Sequence, residues 1–166
     1  YWLRAPELAP NDGIRADIER TIVAIKKFTK DVHEQSIVPE RSDGFFVVLV
    51  IGIGGSTLGG QFVCDALARG DDPMVVRFID NTDPDGLDRT LDELDESLDQ
   101  TLTIVISKSG DTKETRNGML EVAAAYRRAG LNFAKHAVAI SREGSSLHQR
   151  AVAEHWLATF PMWDWV

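Results

Sequence analysis

The chain has 166 residues, 43% of them hydrophobic and 27% charged, with 26 acidic against 18 basic side chains and a net charge of −8. That length suits a single well-packed domain over residues 1–166, and no apolar run approaches the roughly 20 residues that would cross a bilayer. The acidity excludes a duplex nucleic-acid binder, which needs clustered Lys and Arg to neutralise phosphates, so any anion must be held locally.

Cys64 is the only cysteine, which leaves no disulfide framework and no cysteine-based zinc site, and points to a reducing, cytoplasmic setting. The sequence opens YWLRAPELAP and closes HWLATFPMWDWV, gathering Trp156, Phe160, Met162, Trp163 and Trp165 near one end. Termini are usually polar, so this pattern suggests a piece of a longer protein whose remainder would cover those rings.

In chain order, Asn11-Asp12-Gly13 starts a helix over residues 11–35, with Ile14, Ile18, Ile22, Ile25, Phe28 and Val32 spaced to form one apolar stripe. An α/β core follows over residues 45–141. The run FFVVLVIGI from Phe45 to Ile53 is a strand buried on both faces, and STLGGQFVCDALARG is a helix stopped at Gly70, with Cys64 as a small core residue. MVVRFID is a second strand. A solvated helix follows, carrying Leu87, Leu91, Leu94 and Leu98 among acidic residues. TLTIVIS is a third strand, KETRNGMLEVAAAYRRAG a helix ending at Gly130, and HAVAIS a fourth strand. This alternation predicts a parallel sheet of at least four strands flanked by helices, with ligands bound beyond the carboxyl ends of the strands.

Two loops rich in Gly and Ser lie at that end: GIGGSTLGG after the first strand and SKSGDTKET after the third. Amides at a helix start lack intrahelical partners and carry the positive end of the helix dipole, so they attract an anion without a dense cationic patch. Ser107, Ser109 and Thr112 add hydroxyl donors, and Gly110 lets the backbone approach closely or take positive φ. Lys108 either adds charge there or points into water. The competing role is capping, with Asp111 or Thr112 as N-cap and Glu114 in the first turn; capping uses one hydroxyl and leaves the others for a ligand.

Other chemistries fit poorly. The first loop lacks the third glycine of a dinucleotide fingerprint, Thr57 standing there, although Asp80 could imitate the ribose-binding acid; it lacks the P-loop lysine, Gln61 standing in its place. His33, His136, His148 and His155 have no metal-site spacing and suit surface or packing roles. No G-x-S-x-G nucleophile elbow occurs. Neither a metal nor a cofactor is expected.

Taken together, VLVIGIGGSTLGG, FIDNTDPDG and IVISKSGDTKET, in this order over nearly the whole chain, resemble the first sugar isomerase (SIS) domain of the phosphoglucose isomerase family. The resemblance implies a five-stranded parallel sheet between helices, a three-layer fold that binds phosphosugars. It aligns Gly55 and Ser56 with the family's phosphate-touching Gly-Ser. It aligns Ser107, Lys108, Ser109, Gly110, Asp111 and Thr112 with the family's phosphate-cradling loop, and Glu114 with a supporting Glu. Asp111 departs from the family's usual Thr, and its carboxylate would repel a phosphate unless turned toward a helix N-terminus.

The resemblance also implies interconversion of glucose 6-phosphate and fructose 6-phosphate through an enediol, in a homodimeric parent. A glutamate base, an arginine, a histidine and a lysine would do that chemistry, and none is identifiable among these residues. The family's Gly-Gly-Arg stretch follows a segment like FPMWDWV, and its base lies in a second SIS domain. A bifunctional phosphoglucose/phosphomannose isomerase is the alternative enzyme, and a non-catalytic SIS sugar-phosphate sensor of a regulator the alternative of another class. The sensor would need a basic recognition helix, which the N-terminal helix does not offer. A nicotinamide-binding domain is a distant third.

Overall fold

The computed structural model describes residues 4–165. By internal contacts the chain divides into an N-terminal unit ending at Ile37 and a larger unit from Val38 onward. In the first, helix α1 spans Asp12–His33, and the Asn11 side chain accepts from the Ile14 amide, satisfying one of the free donors at the helix start. Ile18 and Val32 of the anticipated stripe are buried, whereas Ile25 is exposed. The stripe is therefore broken at its centre.

The larger unit holds five strands, β1 (Val47–Ile51), β2 (Val75–Ile79), β3 (Thr101–Ile106), β4 (Ala137–Ser141) and β5 (Ala158–Pro161). They form one wholly parallel sheet in the order β2-β1-β3-β4-β5. Helices α2 (Leu58–Leu67), α3 (Pro84–Leu94), α4 (Lys113–Arg128) and α5 (Ser146–Ala153) connect successive strands. The chain moves outward from β1 to β2, then reverses to β3 on the other side. Right-handed crossovers consequently place α2 on one face and α3, α4 and α5 on the other, giving three layers.

The α3–α5 face carries the core. Leu49, Ile51, Val105, Ala137 and Ala139 of the sheet meet Leu94, Met119, Val122, Tyr126, Leu147, Ala151 and Trp156 in one buried cluster. Leu94 and Leu98 of the acidic segment are buried while Leu87 and Leu91 are half-buried, so the leucines line the inner side of a solvated helix. Trp156 belongs to the core, edge-on to Phe133 at 5.2 Å, whereas Trp163 and Trp165 stack in parallel nearer the chain end.

Helix α2 departs from expectation. It has no buried residue, ends at Leu67 before Gly70, and leaves Cys64 half-buried instead of in the core. Its LGGQFVCDAL composition signals apolar character without a single inward stripe. Helix α5 and the short edge strand β5 lie past the last element that periodicity picked out, since eight and four residues are too few to display a period.

A polar knot closes the amino end of the sheet. Tyr126 and His136 are fully buried beside Thr101 and Thr103. The Tyr126 hydroxyl donates to the Thr101 carbonyl at 2.9 Å and lies 3.2 Å from the Thr103 hydroxyl; burial raises its pKa far above the usual phenol value. His136 Nδ1 lies 3.1 Å from the same Thr101 carbonyl. That acceptor requires Nδ1 to carry the proton, which leaves Nε2 as a bare acceptor with no partner among the described residues. Phe45 sits edge-on to the ring.

Burial therefore pushes the His136 pKa below its ordinary value, although the Thr101 hydrogen bond opposes this in part. The unfolded chain takes up this proton near pH 6.5 and the folded chain only at lower pH. Stability is thus complete above about pH 6.5 and falls as pH drops below it, by at most ~1.4 kcal/mol per pH unit for the one proton. Urea unfolding at a series of pH values from 7.5 to 5 is expected to show this loss. A flatter profile is expected for His136→Phe.

Candidate functional site

The strand order reverses between β1 and β3, which pair with Ile51 opposite Val105. Beyond such a switch point, the two following loops diverge and leave a crevice at the carboxyl edge. The β1 loop enters it through a short 3-10 turn, Gly54–Ser56, and the β3 loop through residues 107–112. The loops touch: a Cβ on Gly52 would lie 3.2 Å from the Ile106 carbonyl and 3.0 Å from Ser56 Cβ. A side chain at Gly52 would have to push these neighbours aside by a few tenths of an ångström.

The crevice is an open cavity of about 430 Å³ lined by Ile53, Ser56, Ile106, Ser107, Lys108, Ser109, Thr112, Thr115 and Arg142. Five residues singled out from sequence, Ser56, Ser107, Lys108, Ser109 and Thr112, thus line one cavity. Gly55 is exposed in the adjoining turn, while Gly110, Asp111 and Glu114 lie off the lining.

Internal hydrogen bonds shape the loop. Buried Ser107 accepts from the Gly110 amide at 3.1 Å and reaches Thr112 Oγ1 at 3.2 Å; Ser109 Oγ accepts from the Asp111 amide at 3.1 Å. The Ser141 hydroxyl donates to the Ser107 carbonyl at 2.6 Å. Since that takes its one proton, the Ser145 hydroxyl 2.5 Å away must donate to Ser141. Ser145 is also the N-cap of α5, accepting from the His148 amide. A buried chain of hydroxyls therefore braces the β3 loop against β4 and α5.

Other donors are left over. Thr112 is the N-cap residue of α4 but its side chain makes no capping bond, and Glu114 completes no capping box, which corrects the capping alternative. Thr112 Oγ1 is drawn toward Ser107 instead, and its proton can still point into the crevice. Among the described residues, the amides of Ser109, Thr112, Lys113 and Glu114 have no protein acceptor. Unpaired donors at a helix start, with the helix dipole behind them, are the kind of group that can receive an anion.

Asp111 does not oppose that field. Its carboxylate accepts from Ser146 Oγ at 2.7 Å, in the first turn of α5, where a negative charge is favourable. Gly110 makes the turn possible at φ +77°, and a Cβ there would lie 2.5 Å from both the Leu147 amide nitrogen and Ser146 Oγ. Gln61 and Asp80, considered above for nucleotide chemistry, hydrogen-bond each other at 2.8 Å.

Thr115 and Arg142 line the crevice without having been singled out from sequence. Thr115 is buried in the first turn of α4, and Arg142 directly follows β4. The signal for Arg142 was positional: every parallel strand ends at the same edge, so the residue after HAVAIS belongs with the residues after TLTIVI.

Residues 7–166 match the family described as Phosphoglucose isomerase. The chain is 58% identical over its whole length to the glucose-6-phosphate isomerase of Geobacter sulfurreducens and 57% identical to that of Rippkaea orientalis, spanning 32% and 31% of those proteins. The crystal structure of a glucose-6-phosphate isomerase from Chlamydia trachomatis superposes on 98% of the chain with a TM-score of 0.80 at 27% identity, and the match covers 30% of that protein. The chain thus spans about a third of the length of these relatives.

Gly110 and Gly55 provide a contrast within the two loops. Gly110→Ala combines positive φ with backbone overlap, a penalty of about 1–3 kcal/mol for the strain alone. Thermal unfolding is expected to show a drop of about 3–10 °C. Gly55→Ala, which meets nothing within 4 Å, is expected to leave the melting temperature within about 1–2 °C of the parent.

Proposed function

Because the chain belongs to the phosphoglucose isomerase family, we propose that it is the phosphate-gripping SIS domain of an enzyme interconverting glucose 6-phosphate and fructose 6-phosphate. The observation that carries this is the uncapped head of α4, whose free amides stand beside the Ser109 and Thr112 hydroxyls at the crevice between β1 and β3. The sugar's phosphate ester would sit against Ser56, Ser107, Ser109 and Thr112, with Gly55 giving backbone access and Gly110 setting the turn of the loop from outside the lining. Lys108 adds charge at the rim. Asp111 contributes no carboxylate to the ligand because that group is engaged by Ser146, and Glu114 supports the helix start from outside the crevice.

Such a grip binds substrate without reacting with it. A phosphate contact is equally strong in ground and transition states, so it lowers KM and leaves the proton transfer to other groups. Within these residues no glutamate or histidine faces the crevice. The general base, and the arginine that would steady an enediolate, belong to the other two thirds of the proposed full-length enzyme, which we take to be a cytoplasmic homodimer as its resemblance implies. A bifunctional phosphoglucose/phosphomannose isomerase or a regulatory sensor would use the same grip, but the 58% and 57% identities are to glucose-6-phosphate isomerases.

The purified chain is expected to bind glucose 6-phosphate and fructose 6-phosphate by calorimetry, to ignore glucose, and to show no isomerase turnover in a coupled assay. Equal affinity for glucose and its phosphate, or robust turnover by this chain alone, would overturn the proposal.

A further inference from the structure

The crevice has two charged residues in its lining, Lys108 and Arg142, and both are cations. In a chain of net charge −8, a charged lining without a carboxylate is a local reversal of the overall field. The two side chains come from different strands yet converge on one place. Lys108 Nζ lies 3.3 Å from the Asp164 carbonyl, and an Arg142 guanidinium nitrogen lies 3.7 Å from the Asp164 carboxylate.

The backbones are tied as well. The Arg142 amide donates to the Lys108 carbonyl at 3.1 Å, and the preceding residue, Ser141, donates to the Ser107 carbonyl. Arg142 is therefore placed relative to the β3 loop by bonds that do not involve its side chain. Among the described residues its head group is held by one exposed carboxylate at long range, with the Arg142 side chain 51% and the Asp164 side chain 77% exposed. An ion pair of that kind is worth little and yields readily to a stronger anion.

We propose that Arg142 is a specificity-determining residue of the same site, closing over the bound phosphate ester as its guanidinium contact and selecting the dianion, while Asp164 holds the side chain in place until the ester arrives. This rests on the sugar-phosphate function proposed above. A guanidinium presents paired donors that match two phosphate oxygens, and bonds between such charged partners are about twice as strong as neutral ones. The amides and hydroxyls of the β3 loop recognise an oxyanion of either charge. A cation closing from β4 adds the preference for two charges over one.

The test uses the intact chain with glucose 6-phosphate as probe, by calorimetry from pH 5 to 8, a range that spans the second ionisation of the phosphate near pH 6. For the parent protein, affinity is expected to rise through that ionisation. Arg142→Gln is expected to bind about tenfold more weakly at pH 8 and to lose most of the rise, with an unchanged melting temperature because the side chain is exposed. Arg142→Lys is expected to keep the rise while losing part of the affinity. Binding by Arg142→Gln with parental affinity and pH profile would overturn the role of Arg142 and leave the phosphate site standing. Absence of binding by the parent protein would instead remove the site itself.

Discussion

Backbone amides that a helix cannot pair within itself are the feature on which the larger unit depends. Every α-helix leaves four N–H groups free at its start, and a protein normally answers them with a side-chain cap or with water. Three helices here follow the usual course: α1 is capped by Asn11, α3 by Asp83 and α5 by Ser145. Helices α2 and α4 do not, although Thr57 and Thr112 stand in position to cap them. Both uncapped starts follow the two loops that frame the crevice, and the α4 start is the one beside the hydroxyl-rich β3 loop.

That arrangement follows from topology. The chain places β2 outside β1 and then returns to lay β3 on the other side, so the β1 and β3 loops part company at the carboxyl edge. Gly52 lets the two loops meet below the crevice, and Gly110 lets the β3 loop turn onto the α5 start. The hydroxyl chain from Ser145 through Ser141 to the Ser107 carbonyl then holds the loop from behind. Its members are spent on structure, which leaves the front of the loop for a ligand. Asp111, the residue whose charge conflicts with an anion, is drawn to the back by Ser146.

Much of this was legible in the sequence because long periodic elements announce themselves. Continuous apolar runs marked four of the five strands to within two residues at every boundary, and the acidic helix with inward leucines was plain from spacing. Short elements were not: β5 has four residues and α5 eight. Helix α2 was assigned as a helix correctly but its burial was not, because a segment that is apolar all round carries no signal of which side faces inward. In the site, Ser107, Ser109 and Thr112 could be named from their place after a strand, but not which hydroxyl would be spent bracing the loop. Arg142 escaped notice because it lies 34 positions from Lys108 in sequence and meets it only through the β3–β4 pairing.

The unpaired amides of α4 are open to one direct measurement: a titration of the isotopically labelled chain with inorganic phosphate, followed by amide NMR shifts. Saturable shifts concentrated at Ser56, Ser109 and residues 112–115 are expected, with the α5 start moving little. Shifts that gather elsewhere on the chain while these amides stay still would contradict the anion-binding role of that helix start.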